Sequence, residues 1–277
     1  MAKPQADGAR FGSAAAVGVP QVASEFNKFE MHKSPRFQIG HKIEDANGNV
    51  YRYAHFSADT NRGVLVSPDI SESGLDDTDN MVTLASAVQT AGDNAIGSKF
   101  VEMNVSALAS VLLNDYAGGR LLITDDTGEG YTYDVLGNTA KGDPAADLVR
   151  VALKQKLQVA LDNTSDVAIV PNVYSNLEIS TSTDFYCAGV TCATMDVSEA
   201  SYGWIQTKGV VGILQDGAIA VGQPVQLSDG TSGAVQIFGG AVASAVAAAD
   251  LTTEPIIGYC VMAGDSSGHG AFKINLE

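Results

Sequence analysis

Turn signals recur at short, regular intervals along this chain, and the runs between them are short and rich in β-branched residues. Asn47-Gly48 stands between two alternating runs, Arg36–His41 and Val50–His55. That dipeptide readily takes the positive φ of a two-residue turn, so it predicts a β-hairpin, with His41 and His55 within reach of each other across it. Gly63-Val-Leu-Val66 reads as a third strand, and Ser98–Val105 alternates in the same way. Arg120–Thr124 turns through Asp125–Gly130 and returns as Tyr131–Leu136, a second hairpin with a longer loop.

Two further stretches separate strand from helix. Met81–Ala91 suits either. In Leu148–Leu161, Asp143-Pro144 upstream imitates a helix start, but the apolar residues follow another rule. Val149, Val151, Leu153, Leu157, Val159 and Leu161 are all odd, and Arg150, Lys154, Lys156 and Gln158 are even. A period of two is a strand signal, so this stretch is read as extended, with a kink near Gln155. Asp166–Val170 continues in that style. Beyond Ser180 the glycine-separated runs Gly203–Lys208, Val210–Leu214, Pro224–Leu227, Gly233–Phe238, Glu254–Val261 and Gly270–Leu276 are read as strands. Ala241–Asp250 is a low-complexity loop. Short strands at such spacing predict a mainly β chain of two sandwich- or barrel-like units with little helix. The divisions expected are a flexible N-terminal arm over 1–35, a β-rich domain over 36–175 and a small β-barrel over 176–277.

Composition narrows the function classes. With 32 acidic and 16 basic side chains the formal charge is −16, which disfavours a surface that tracks nucleic-acid phosphates. No stretch reaches the roughly 20 apolar residues of a membrane helix. Charged residues are 17 % of the chain, below the roughly 25 % of ordinary soluble domains. The run Ser13–Val17, interrupted by Gly18 and Pro20, is too short for a signal-peptide core and reads as part of the arm. Cys187, Cys192 and Cys260 have no framework or zinc spacing and are expected as buried free thiols.

Each motif that resembles a chemical site has a plainer reading. Gly264-Asp-Ser266-Ser-Gly268 fits the nucleophile pattern, yet the residues after it alternate as a strand where an elbow needs a helix. Gly92–Lys99 is out of order for a phosphate loop. Asp45-Ala-Asn-Gly-Asn49 lacks the later ligands of a calcium loop. The acidic segment Asp69–Asn80 reads as solvated. His32, His41, His55 and His269 are scattered, with no metal-ligand spacing. The expectation is no catalytic residues, no cofactor and no metal. Trp204 is either a buried anchor or an interface residue.

The C-terminal third, through Gly203-Trp-Ile-Gln-Thr-Lys-Gly-Val-Val, Gly222-Gln-Pro-Val-Gln-Leu, Gly233-Ala-Val and Pro255-Ile-Ile-Gly-Tyr-Cys-Val-Met-Ala, resembles virion structural proteins of tailed bacteriophages. Gly40, Gly48, Tyr51 and Tyr53, then Gly63-Val-Leu-Val, and Asn114-Asp-Tyr-Ala-Gly-Gly-Arg-Leu-Leu-Ile, are similar to other parts of such proteins. These are commonly capsid decoration, or cement, proteins. The resemblance implies a non-enzymatic protein on the outer capsid surface of the virion, assembled in the host cytoplasm. It would be a trimer that contacts the major capsid protein and stabilises the shell. The arm, with Phe11, Phe26, Phe29 and Met31, is expected to order against the shell or a neighbouring subunit, with Trp204 as a further contact. A tail or portal-region component is the alternative, and a hydrolase using Ser266 a remote second one.

Overall fold

A computed structural model describes residues 26–68, 82–83, 90–105, 111–181, 184, 186–239 and 256–277. Among them there is no helix, and the strands form two sheets. The expectation of a mainly β chain with two barrel- or sandwich-like units holds.

The first sheet takes β1 (Lys42–Glu44), β2 (Val50–His55) and β3 (Leu65–Pro68) from the early chain. To these it adds β10 (Leu177–Ile179), β11 (Gly189–Thr191), β12 (Tyr202–Leu214), β13 (Pro224–Leu227), β14 (Val235–Ile237), β15 (Gly258–Met262) and β16 (His269–Asn275). The order is β10-β3-β11-β12-β16-β15-β13-β14, with β2 also paired to β12 and β1 to β2. Neighbouring strands in it are antiparallel. The sheet curls back on itself: Gln215, just beyond β12, bridges Val235 of β14. Leu65, Ile213, Val225, Val235, Phe272 and Ile274 fill the space inside.

The second sheet lies wholly between β3 and β10 in sequence. It holds β4 (Val82–Thr83), β5 (Phe100–Asn104), β6 (Arg120–Asp125), β7 (Thr132–Asn138), β8 (Leu148–Leu153) and β9 (Asp166–Val170). Their order is β4-β9-β6-β7-β8-β5. This sheet has its own core, including Met103, Leu121, Tyr133, Val151, Leu153 and Ile169. The partition of strands therefore differs from a cut at 175/176. Residues 42–68 belong with the C-terminal strands, and the second sheet is an insertion between them. Hydrophobic spacing along a chain reports that a strand exists, and says nothing of its distant partner.

The hairpin at Asn47-Gly48 forms, but its first strand is Lys42–Glu44, after and not within the expected run Arg36–His41. Lys42, Ile43 and Glu44 pair with Arg52, Tyr51 and Val50. Asp45 closes the turn: its Oδ1 accepts from the Asn47 and Asn49 backbone N–H groups, and its Oδ2 from Asn49 Nδ2. The calcium-loop likeness thus resolves into an Asx turn. Gly203–Lys208 and Val210–Leu214 are one strand of 13 residues, not two. The register with β2 slips at Thr207, between Gln206 and Lys208, and Gly209 two residues on takes φ +105°. A Cβ at Gly209 would fall 2.0 Å from Asn49 Oδ1, so only glycine lets the hairpin tip approach. β12 pairs with β2 as far as Lys208 and with β16 from Lys208 onward.

The N-terminal division also changes. Residues 26–35, placed in the flexible arm by sequence, pack on the first sheet. His32 exchanges backbone hydrogen bonds with Tyr202 at 2.8 and 3.0 Å. Residues 1–25, including Phe11, lie outside the described residues, as do the acidic segment 69–80 and the stretch 241–250.

Candidate functional site

The feature that organises the surface is an aromatic layer made by two strands. Tyr51, Tyr53 and His55 alternate along β2, and Tyr202, Trp204 and Gln206 along β12, so each set occupies one face. The register sets Trp204 opposite Tyr53, and Tyr202 opposite His55. Trp204 and Tyr53 meet edge to face at 5.1 Å between ring centroids, the arrangement their quadrupoles favour.

Residues 26–37 cross this layer as a strap. Phe26 stands edge-on to Trp204 at 5.0 Å and lies 5.2 Å from Tyr51. Phe37 lies 5.2 Å from both Tyr53 and Trp204 and stacks on His41 at 5.4 Å. The Tyr53 hydroxyl accepts from the Arg36 backbone N–H at 3.2 Å and sits 2.9 Å from His32 Nδ1. On the other side of the ring, His32 Nε2 lies 3.6 Å from Glu30 Oε2. Burial pushes the Tyr53 hydroxyl pKa up, and that of Tyr51 up to about 12, helped by the Asp45 carboxylate.

Burial also lowers the His32 pKa; Arg36 adds to this, and Glu30 opposes it. A base whose folded value lies below its unfolded one binds fewer protons when folded. Stability is then fully kept above the ordinary imidazole value of about 6.5 and falls as pH drops through it toward the folded value. His32→Gln is expected to flatten this part of the stability profile between about pH 7.5 and 5. Denaturant titrations of both proteins across that window measure it; a profile unchanged by the substitution excludes His32 as its source.

The candidate contact residues separate by depth. Trp204 is 2 % exposed, so of its two expected roles it takes that of the buried anchor of the layer and offers almost no surface for contact. Phe26 is half-buried against it. Phe29 and Met31 project outward, 59 % and 45 % exposed, on a strap whose other side is fixed. The sequence reading missed Phe37, which is also exposed, and the role of Tyr51 and Tyr53 as the layer itself. The signal was present in Tyr51-x-Tyr53 and Tyr202-x-Trp204, two period-two aromatic pairs that a shared sheet would stack.

Other motifs dissolve into turns. Ser266 lies in the hairpin loop between β15 and β16, closed by Gly268 N–H donating to Asp265 O at 2.8 Å. A strand follows where a nucleophile elbow has a helix. Gly92–Lys99 is a series of turns leading into β5. His41 and His55 do not face each other: His41 lies on Phe37, and His55 Nδ1 meets Asn176 Oδ1 at 2.9 Å. Cys187 and Cys260 are buried, Cys192 is half-buried, and none forms a disulfide. Among the described residues no three His, Cys, Asp or Glu side chains converge as metal ligands, and no helix is long and apolar enough to cross a membrane.

The chain matches no family model, no curated protein and no solved structure.

Proposed function

We propose that this chain is a non-enzymatic structural protein of a tailed-phage virion, of the capsid decoration type, acting as a trimer on the outer face of the head against the major capsid protein. The observation that supports this reading is the strap. Phe29 and Met31 are exposed apolar side chains whose backbone is already fixed on a buried aromatic layer. Such preordered anchors lose little entropy on docking and suit a contact made through surfaces. A few weak contacts per subunit suffice when a trimer engages several sites at once.

The test is binding of purified protein to undecorated heads, read by electron microscopy and co-sedimentation. The double variant Phe29→Ser/Met31→Ser is expected to fold and to bind at least about tenfold more weakly, given roughly 1–2 kcal/mol for each apolar anchor withdrawn from water. Native mass measurement is expected to give three chains. Density at the tail or portal would move the protein there, and labelling of Ser266 by a serine-reactive probe would return the enzyme reading. Unchanged occupancy of the double variant removes the strap from the interface.

A further inference from the structure

Beside the strap lies an open cleft of about 410 Å³, a size typical of small-molecule sites. Its charge is opposite to that of the chain. Lys28, Arg62 and His269 all line it, and among the described residues no carboxylate does, although acidic side chains outnumber Lys and Arg by 32 to 16 overall. The three come from separate places: the strap, the turn before β3 and the start of β16. Among the described residues neither Lys28 nor Arg62 is in an ion pair, and no hydrogen bond holds the His269 ring nitrogens. The Lys28 ammonium stands 5.2 Å from the Phe29 ring centroid and 5.6 Å from that of Tyr51, contacts that steer a cation without neutralising it. Around the cations the cleft offers uncharged surface, including the buried amide of Gln206 and the exposed face of Phe29.

Two cations without an ion-pair partner among the described residues, Lys28 and Arg62, and the His269 imidazole thus line one concavity of a strongly acidic molecule. We infer that this cleft binds a small organic phosphate. Arg62 supplies the planar fork that matches two phosphate oxygens, Lys28 a mobile point charge and His269 a ring N–H. Phe29 then flanks the remainder of the ligand. The cleft shares Phe29 with the proposed capsid contact, and phosphate binding is tested on the free chain without any capsid.

The experiment is calorimetric titration of the full chain at low salt with inorganic phosphate, ribose 5-phosphate and adenosine monophosphate in turn. Binding of at least one organic phosphate with a dissociation constant of about 1 mM or tighter is expected. Tighter binding of the nucleotide assigns a base contact to Phe29, and equal binding assigns recognition to the sugar phosphate alone. Arg62→Gln is expected to weaken binding about tenfold or more, and Lys273→Gln, a cation away from the cleft, to leave it unchanged. Gly212 offers a second variant: it lines the cleft, and a Cβ there meets nothing closer than Gly270 O at 3.9 Å. Gly212→Glu therefore adds a carboxylate without backbone strain, and is expected to abolish binding. No heat from any of the three probes, or equal losses in Arg62→Gln and Lys273→Gln, overturns the inference.

Discussion

Replacing Arg150 by methionine is expected to lower the unfolding free energy by about 2–3 kcal/mol, short of the roughly 3–5 kcal/mol of a fully buried pair because the Arg150 side chain is 30 % exposed. Arg150 on β8 grips Asp93 with both arms of its guanidinium: Nε lies 2.6 Å from Oδ2 and Nη2 3.1 Å from Oδ1. The Asp93 side chain is only 4 % exposed. The same guanidinium lies over the Phe100 ring, 3.8 Å from its centroid. Directly across the β5–β8 ladder stands Glu102, fully buried, its carboxylate accepting the Thr90 backbone N–H at 2.9 Å. Methionine keeps much of the apolar stem and takes away the charge. The Asp93 carboxylate then stays in a poorly solvated place without its counterion. The double variant Asp93→Asn/Arg150→Met is expected to recover more than half of the loss, because it also removes the stranded charge.

A second pair in the same sheet serves as the contrast. Arg120 and Asp134 approach to 3.9 Å, but their side chains are 68 % and 43 % exposed. Arg120→Met is expected to change stability by no more than about 0.5 kcal/mol. Chemical denaturation of the variants measures all of these differences. A loss below about 1 kcal/mol for Arg150→Met shows that solvent reaches the pair and that its geometry carries little energy.

The elements most legible in sequence were short apolar runs bounded by turn residues. β2, β9 and β13 have the limits their residue patterns predicted. The odd stripe from Val149 to Leu161 also describes the fold well: Val149, Val151, Leu153, Leu157 and Leu161 are buried, and β8 ends at Leu153 before the kink. What failed did so for identifiable reasons. Glycine commonly marks a turn, but Gly209 lies inside β12, where its positive φ and its close approach to Asn49 require glycine. β10 and β11 are three residues each, too short to show any period. The strap escaped notice because residues 26–37 have no strand periodicity; they are ordered by a buried aromatic layer supplied from residues 51–53 and 202–204. The cleft was least visible of all, since Lys28, Arg62 and His269 meet only through the topology of the first sheet.

Trp204→Ala is expected to cost about 3–5 kcal/mol, in the range of large aromatic truncations in cores. The indole is 2 % exposed and holds three rings at 5.0 to 5.2 Å: Phe26, Tyr53 and Phe37. Two of the three belong to the strap, so the cavity left behind also removes the surface on which residues 26–37 rest. Faster proteolysis within that segment and a return of His32 toward its ordinary imidazole value are expected to accompany the lost stability. Phe29→Ser, by contrast, is expected to leave stability within about 0.5 kcal/mol, because that side chain points away from the layer. The position of the damage matters as much as its size. Trp204 belongs to a cluster on the first sheet that shares no residue with the core of the second. Losses from Trp204→Ala and Arg150→Met are therefore expected to add within about 0.5 kcal/mol when combined. Circular dichroism and proteolysis follow both, since Trp204 is the chain's single tryptophan and its fluorescence is absent from the variant. A combined loss smaller than the sum by more than about 1 kcal/mol means that the two sheets share a cooperative interface, and the description of the second sheet as an insertion with its own core then fails.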